Sequence, residues 1–204
     1  MSTPPQNIYI IGAQSTGKST LVDALEAHFR QNNVSSLPAL IVIREVARAV
    51  LRDHSFTAGD IRTSPARVLE LQRLILAAQA KAENEATSAS QPSWLISDRS
   101  AIDPVVYAWQ YVGQEAALAL MESAEWKLMR DRMAESLVVV CEAGVDWLTD
   151  DGVRLMPTGR EEWAKTHEVF CRVLDVATVR YVVLPCNLRS TEERLAFVLR
   201  EFGT

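Results

Sequence analysis

No apolar run in the 204 residues is long enough to cross a bilayer as a helix, so an integral helical membrane protein is not expected. Cysteine is scarce. Cys141, Cys171 and Cys186 are odd in number and form no C-x-x-C pair, the pattern of free thiols in a reducing compartment. Met1-Ser2-Thr3-Pro4-Pro5-Gln6 is a polar tail without a basic segment leading into an apolar core. No secretory signal is therefore expected, and the expected location is cytoplasmic. An excess of positive charge is missing too. Lys and Arg number 21 against 26 Asp and Glu, a net charge of -5, which argues against general nucleic-acid or membrane-surface binding while leaving room for a local basic site. No internal repeat and no second domain is visible, so residues 7–204 are read as one domain behind the tail 1–6.

With 48% hydrophobic and 23% charged residues, the chain is globular in composition and long enough for one α/β domain with a full core. Its organising stretch is Gly12-Ala13-Gln14-Ser15-Thr16-Gly17-Lys18-Ser19-Thr20, which matches G-x-x-x-x-G-K-[ST]. The apolar run Ile8-Tyr9-Ile10-Ile11 before it reads as a buried strand, and the residues from Leu21 to Phe29 after it read as a helix. Strand, glycine loop and helix are the context this phosphate-binding motif requires. Gly12 and Gly17 let the backbone turn tightly and bring N–H groups to phosphate oxygens. The helix adds its positive end, Lys18 a mobile charge for the outer phosphates, and Ser19 a hydroxyl for Mg²⁺. A nucleoside triphosphate with magnesium is the expected ligand: ATP, with GTP as the alternative.

Further along, Ala39–Ile43, Trp94–Ser97, Leu137–Cys141 and Tyr181–Leu184 are apolar runs of strand length. The run from Leu137 to Cys141 is continuously apolar, as burial on both faces demands. Helices are expected over Pro65–Ala86, Ile102–Tyr111, Gln114–Met133, about 159–176, and from Ser190 onward, with 55–64 a loop or broken helix. Val68, Leu71, Ile75, Ala78 and Ala82 form the buried stripe of the longest helix. Alternating strands and helices predict a five-stranded parallel sheet with helices on both faces, a three-layer P-loop fold.

In such a sheet ligands bind at the carboxyl ends of the strands, and four of these ends carry candidate groups. Asp98 follows the third strand and is the expected magnesium-side acid, with Glu142 after the fourth as its competitor. Glu45 follows the second strand, where a carboxylate can take an acceptor hydroxyl's proton; its structural alternative is an ion pair with Arg48. Residues 146–160, with Arg154, Arg160 and nearby glycines, read as a lid that brings cations to a transferring phosphoryl group. Asn187, after the fifth strand, is placed to touch a nucleotide base or to serve as a turn residue. Trp109 belongs to the core; Tyr107 and Tyr111 are read as packing first and as stacking partners for an acceptor ring second.

The order of these segments, Gly12–Thr20, Arg44-Glu45-Val46-Ala47-Arg48, Asp98-Arg99-Ser100-Ala101-Ile102-Asp103-Pro104 and Asp151-Gly152-Val153-Arg154, resembles an AAA-like P-loop ATPase/kinase family. That family includes the nicotinamide riboside kinase domain of bacterial NAD-biosynthesis regulators. The resemblance implies that Glu45 and Arg48 face the acceptor, that Asp98 stands on the magnesium side, and that Arg99 and Asp103 lie near acceptor or phosphates. It also implies a lid with Arg154 and Arg160. No adenylyltransferase or DNA-binding segment accompanies it, so a bifunctional regulator is not expected. The function expected is ATP-dependent phosphoryl transfer to a small-molecule hydroxyl, with a ribosylnicotinamide as one candidate acceptor. The alternative is a nucleotide-dependent switch that binds a protein or lipid. A guanine-reading N-K-x-D and a transporter L-S-G-G-Q are both missing, which disfavours a dedicated GTPase and a transporter ATPase. The oligomeric state is not encoded in any motif.

Overall fold

β1 (Ile8–Ile11) is the central strand of the molecule, wholly buried, and the phosphate loop leaves from its carboxyl end. In a computed structural model of the chain, residues 6–32, 38–88, 93–144 and 160–203 are described. Residues 1–5 of the expected tail and 146–159 of the expected lid, including Arg154, fall outside them. α1 (Lys18–Gln31) follows the loop, then β2 (Ala39–Ile43), α2 (Ala47–Asp53), α3 (Ala58–Thr63), α4 (Pro65–Thr87) and β3 (Ser93–Asp98). The chain continues through α5 (Ile102–Tyr111), α6 (Gln114–Met121), α7 (Ala124–Ala134), β4 (Leu137–Cys141), α8 (Arg160–Ala177), β5 (Val182–Leu184) and α9 (Thr191–Phe202).

The sheet order is β2-β3-β1-β4-β5 and every pairing is parallel, with Ile10 opposite Asp98 on one side and Val139 on the other. This is the five-stranded α/β sheet that the apolar runs predict. Alternation along β1 divides the core. Ile8 and Ile10 join Leu21, Leu25 and Val198 beneath α1 and α9, whereas Tyr9 and Ile11 join Leu76, Val105, Met129 and Phe170 beneath α4, α5, α7 and α8. Among the described residues, no helix is long and apolar enough to cross a membrane.

Local signals explain where the helices differ from expectation. The stretch 55–64 contains a capped helix: Thr57 and Asp60 form a reciprocal capping box, and Asp60 stands where the usual motif has Glu or Gln. The single helix expected over Gln114–Met133 breaks at Ser123, whose extended backbone and side chain cap Trp126 N and start α7. Ser64 caps α4 and Pro65 fills its first turn. The buried stripe of α4 keeps Val68, Leu71 and Ile75, but Gln72, Gln79 and Glu83 are buried with them, while Ala78 and Ala82 are only half-buried.

Gly12 is needed twice over. Its φ is +129°, and a Cβ there would lie 2.6 Å from the carbonyl oxygen of Cys141 at the end of β4, so the close approach of loop and strand backbones is possible only without a side chain. Gly12→Ala is expected to destabilise the fold by about 2–3 kcal/mol, read as a lowered urea midpoint.

Candidate active site

Lys18, the first residue of α1, is 5% exposed and its side chain folds back over the loop. Its Nζ donates to Ala13 O at 2.5 Å and to Thr16 Oγ1 at 3.3 Å. Burial, and then the nearby Arg99 guanidinium, lower its pKa from 10.5 to about 8, against the pull of Cys141, Asp103 and Asp98. The loop is braced from outside: Trp163 Nε1 on α8 donates to Gln14 O at 2.9 Å, and Arg194 on α9 donates to Thr16 O at 2.8 Å. Gly17 adopts the left-handed conformation immediately before α1, which aims the helix N-terminus at the loop's interior.

Ser19 Oγ donates to Asp98 Oδ2 at 2.5 Å. Glu142 is engaged elsewhere, accepting from Cys186 N at 2.8 Å and so tying the end of β4 to the loop after β5. Of the two candidate acids, Asp98 therefore stands beside the loop hydroxyl. Among the described residues, no group of three His, Cys, Asp or Glu side chains could hold a metal. One hydroxyl and one carboxylate, completed by water and phosphate oxygens, is a donor set that suits Mg²⁺ and no all-protein cage. The residues present thus fit a magnesium–triphosphate ligand.

Opposite the loop, Arg99 is 8% exposed and holds two acids. Its Nε donates to Glu45 Oε1 at 2.7 Å and its Nη1 to Asp103 Oδ1 at 2.8 Å. Asp103 Oδ2 accepts from Ser100 N at 2.9 Å, and Arg48 Nε reaches Glu45 Oε2 at 3.0 Å. Burial works against the Arg99 charge, but Glu45 and the other anionic partners outweigh it and raise its pKa well above the usual value. Burial pushes the Asp103 carboxyl up, opposed by Arg99 and Lys18. Arg99 has φ +86°, an unusual backbone for a non-glycine residue that directs its side chain toward both acids.

A cavity of about 110 Å³ lies against this pair, bounded by Glu45, Arg99 and Gln14 and walled by Leu51, Leu71, Ile75, Pro104, Tyr107 and Tyr111. That volume matches a single small ring. The two tyrosine rings are parallel, with centroids 6.3 Å apart. Tyr107 Oη donates to Gln14 Oε1 at 3.1 Å, so a residue of the phosphate loop also forms part of the cavity. The structure brings together Lys18, Ser19, Asp98, Glu45, Arg99 and Asp103. Arg48 touches Glu45 but is 45% exposed and lies outside the cavity lining. Thr20 and Asn187 are exposed. Arg160 begins α8, and its side chain lies outside the described residues, as does all of Arg154.

The braces Trp163 and Arg194 and the cavity residues Gln72 and Gln79 carry no motif. The glutamines did leave a trace, since amides at positions of a helix's apolar stripe require a partner or a purpose.

The depressed Lys18 pKa has a measurable consequence. Triphosphate beside the ammonium restores its proton, so binding takes up a proton once the free residue begins to titrate near pH 8. Nucleotide affinity is expected to fall above about pH 8, approaching tenfold per pH unit. Calorimetry in buffers of different ionisation enthalpy reads the proton uptake directly.

A family profile described as an AAA domain, AAA_28, matches residues 7–194. No curated protein matches in a sequence search. Among solved structures, deoxyadenosine kinase from M. mycoides with bound dATP is similar, with a TM-score of 0.61 and 14% identity over 98% of this chain and 100% of that one. The NadR protein in complex with NR is similar, with a TM-score of 0.65 and 22% identity over 98% of this chain. The chain spans about half of that NadR chain, 51% of its length. Both likenesses concern the fold, and they agree with the parallel sheet and phosphate loop seen here. With the profile covering nearly the whole chain, the protein belongs to the AAA_28 family of AAA domains and has a P-loop kinase-like fold.

Proposed function

We propose that the protein transfers the terminal phosphoryl group of ATP to a hydroxyl of a small, ring-bearing acceptor, with a ribosylnicotinamide among the candidates. The observation that carries this reading is the ring-sized cavity built directly against the phosphate loop, sharing Gln14 with it and presenting Glu45 on its wall. A switch or pure hydrolase has no need of such a cavity. The deoxyadenosine kinase that shares the fold carries bound dATP, and the NadR protein is in complex with NR, which supports both a triphosphate donor and a ribosyl acceptor here.

In this reading Lys18 leaves its contacts with Ala13 and Thr16 to meet the outer phosphates, and Ser19 and Asp98 hold Mg²⁺. When bound, the metal neutralises charge on the phosphate oxygens. Glu45, oriented by Arg99 and Arg48, takes the proton of the acceptor hydroxyl as its oxygen bonds to the phosphorus and ADP departs. Tyr107 and Tyr111 hold the ring by its faces, Asp103 keeps Arg99 in place, and Arg154 and Arg160 are assigned to the lid.

The test is phosphoryl transfer from ATP to a panel of nucleosides, ribosylated pyridines and sugars, followed by mass spectrometry. A phosphorylated product is expected for at least one ribosyl compound. Glu45→Gln is expected to lower kcat about a hundredfold while leaving nucleotide affinity unchanged. Hydrolysis that no acceptor accelerates would instead favour a nucleotide-driven switch.

A further inference from the structure

Two buried glutamines of α4 line the cavity, Gln72 at 4% and Gln79 at 1% exposure. The side-chain oxygen of each has no hydrogen-bond partner among the described residues. A buried amide oxygen left without a donor is costly, and here it occurs twice in one wall of one cavity.

The Gln79 amide cannot turn round to relieve this. Its Nε2 donates to Glu83 Oε1 at 3.0 Å and to Ser97 Oγ at 3.0 Å. Glu83 is fully buried; its other oxygen accepts from Tyr9 Oη at 2.7 Å and from Arg132 Nη1 at 2.9 Å. A carboxylate in a salt bridge with Arg132 can only accept. Flipping the amide would set oxygen against oxygen beside Glu83, so the network from β1, β3 and α7 fixes which end of Gln79 is left for a ligand.

Resting on the phosphoryl-transfer reading above, we infer that Gln79 is a specificity residue that selects an acceptor whose ring carries an N–H donor, a carboxamide or exocyclic amine. The carboxylate counterpart, or the same ring without the exocyclic amine, offers no N–H at that position and in the first case adds a negative charge; it is rejected. Gln72, two helical turns earlier, also lines the cavity and offers a second acceptor.

The experiment is calorimetric binding without nucleotide, using closely matched pairs: nicotinamide riboside against nicotinic acid riboside, and cytidine against pyrimidin-2-one riboside, which keeps the ring and lacks the exocyclic amine. The amide- or amine-bearing member of at least one pair should bind about tenfold tighter or more. In Gln79→Met, which keeps the bulk and removes the acceptor, that preference should fall to nearly one. Equal or reversed affinities in the wild-type protein overturn the assignment, as does an undiminished preference in folded Gln79→Met. Failure to bind any of the four, with ATP binding intact, overturns it too. The wild-type comparison decides the matter even if the variant does not fold. Selective binding without phosphoryl transfer would sink the proposed reaction but leave this inference standing. Transfer without selectivity would do the reverse.

Discussion

Lys18→Ala is expected to abolish nucleotide-dependent thermal stabilisation and to lower turnover by about 10²–10³ or more, while leaving the free protein as stable as before or more so. The loss of function follows from the only ammonium inside the phosphate loop. The gain in the free protein follows from burial. Folding depresses the pKa from 10.5 to about 8, which corresponds to roughly 3 kcal/mol of opposition to folding at neutral pH. Removing the side chain sacrifices its hydrogen bonds to Ala13 O and Thr16 Oγ1 and opens a small cavity, a cost of about 1–3 kcal/mol. The two nearly cancel. The pH dependence separates them: between pH 8 and 10.5 the unfolded chain retains a proton that folded Lys18 has lost, so this residue makes wild-type stability rise with pH. Lys18→Ala should lack that rise. Denaturation with and without MgATP across this range measures both effects, and undiminished stabilisation by MgATP in the variant would place the nucleotide elsewhere.

This loop was legible in the sequence because its chemistry is local. Nine consecutive residues supply the turn, the charge and the hydroxyl, and the neighbouring apolar runs supply strand and helix. The places of Asp98 and Glu45 at strand ends were legible for a related reason: a short apolar strand announces its own carboxyl end, and in a parallel sheet all such ends lie on one edge. What escaped were pairings between elements far apart in the chain. Nothing near Trp163 indicates that its indole braces Gln14, 149 positions earlier. Nothing near Arg132 indicates a partner at Glu83, 49 positions away. Glu142 and Asp98 are alike as strand-end acids; only the folded chain assigns one to Cys186 N and the other to Ser19. Tyr107 and Tyr111, ranked as packing first, line the cavity because α5 lies beside α4 rather than wholly within the core. The stretch holding the helix Ala58–Thr63 reads only as a loop or broken helix because six residues are too few to show a periodicity.

Arg99→Met should be the most damaging change to stability, at about 3–5 kcal/mol. Glu45 would keep Arg48 as a partner at the half-exposed rim. Among the described residues Asp103 has no second ion pair: its side chain is 3% exposed and loses the guanidinium, retaining the Ser100 N–H and the more distant charge of Lys18. A carboxylate without its counter-charge in that position disfavours the fold more than the methionine's added apolar contact favours it. Two measurements distinguish this cause from lost packing. Adding Asp103→Asn to Arg99→Met should restore part of the stability, giving a coupling well above the few tenths of a kcal/mol seen between independent sites. Acidification should help as well. Burial already raises the Asp103 pKa in the folded chain, and removing Arg99 raises it further. A carboxyl whose pKa is higher folded than unfolded holds its proton longer in the native state, so stability falls as pH rises through that interval. The deficit of Arg99→Met relative to wild type should therefore be smaller near about pH 5 than near about pH 8. A deficit independent of pH, unmoved by Asp103→Asn, would mean that Arg99 acts through its hydrocarbon stem and not as the counter-charge that holds Glu45 and Asp103 in register across the cavity.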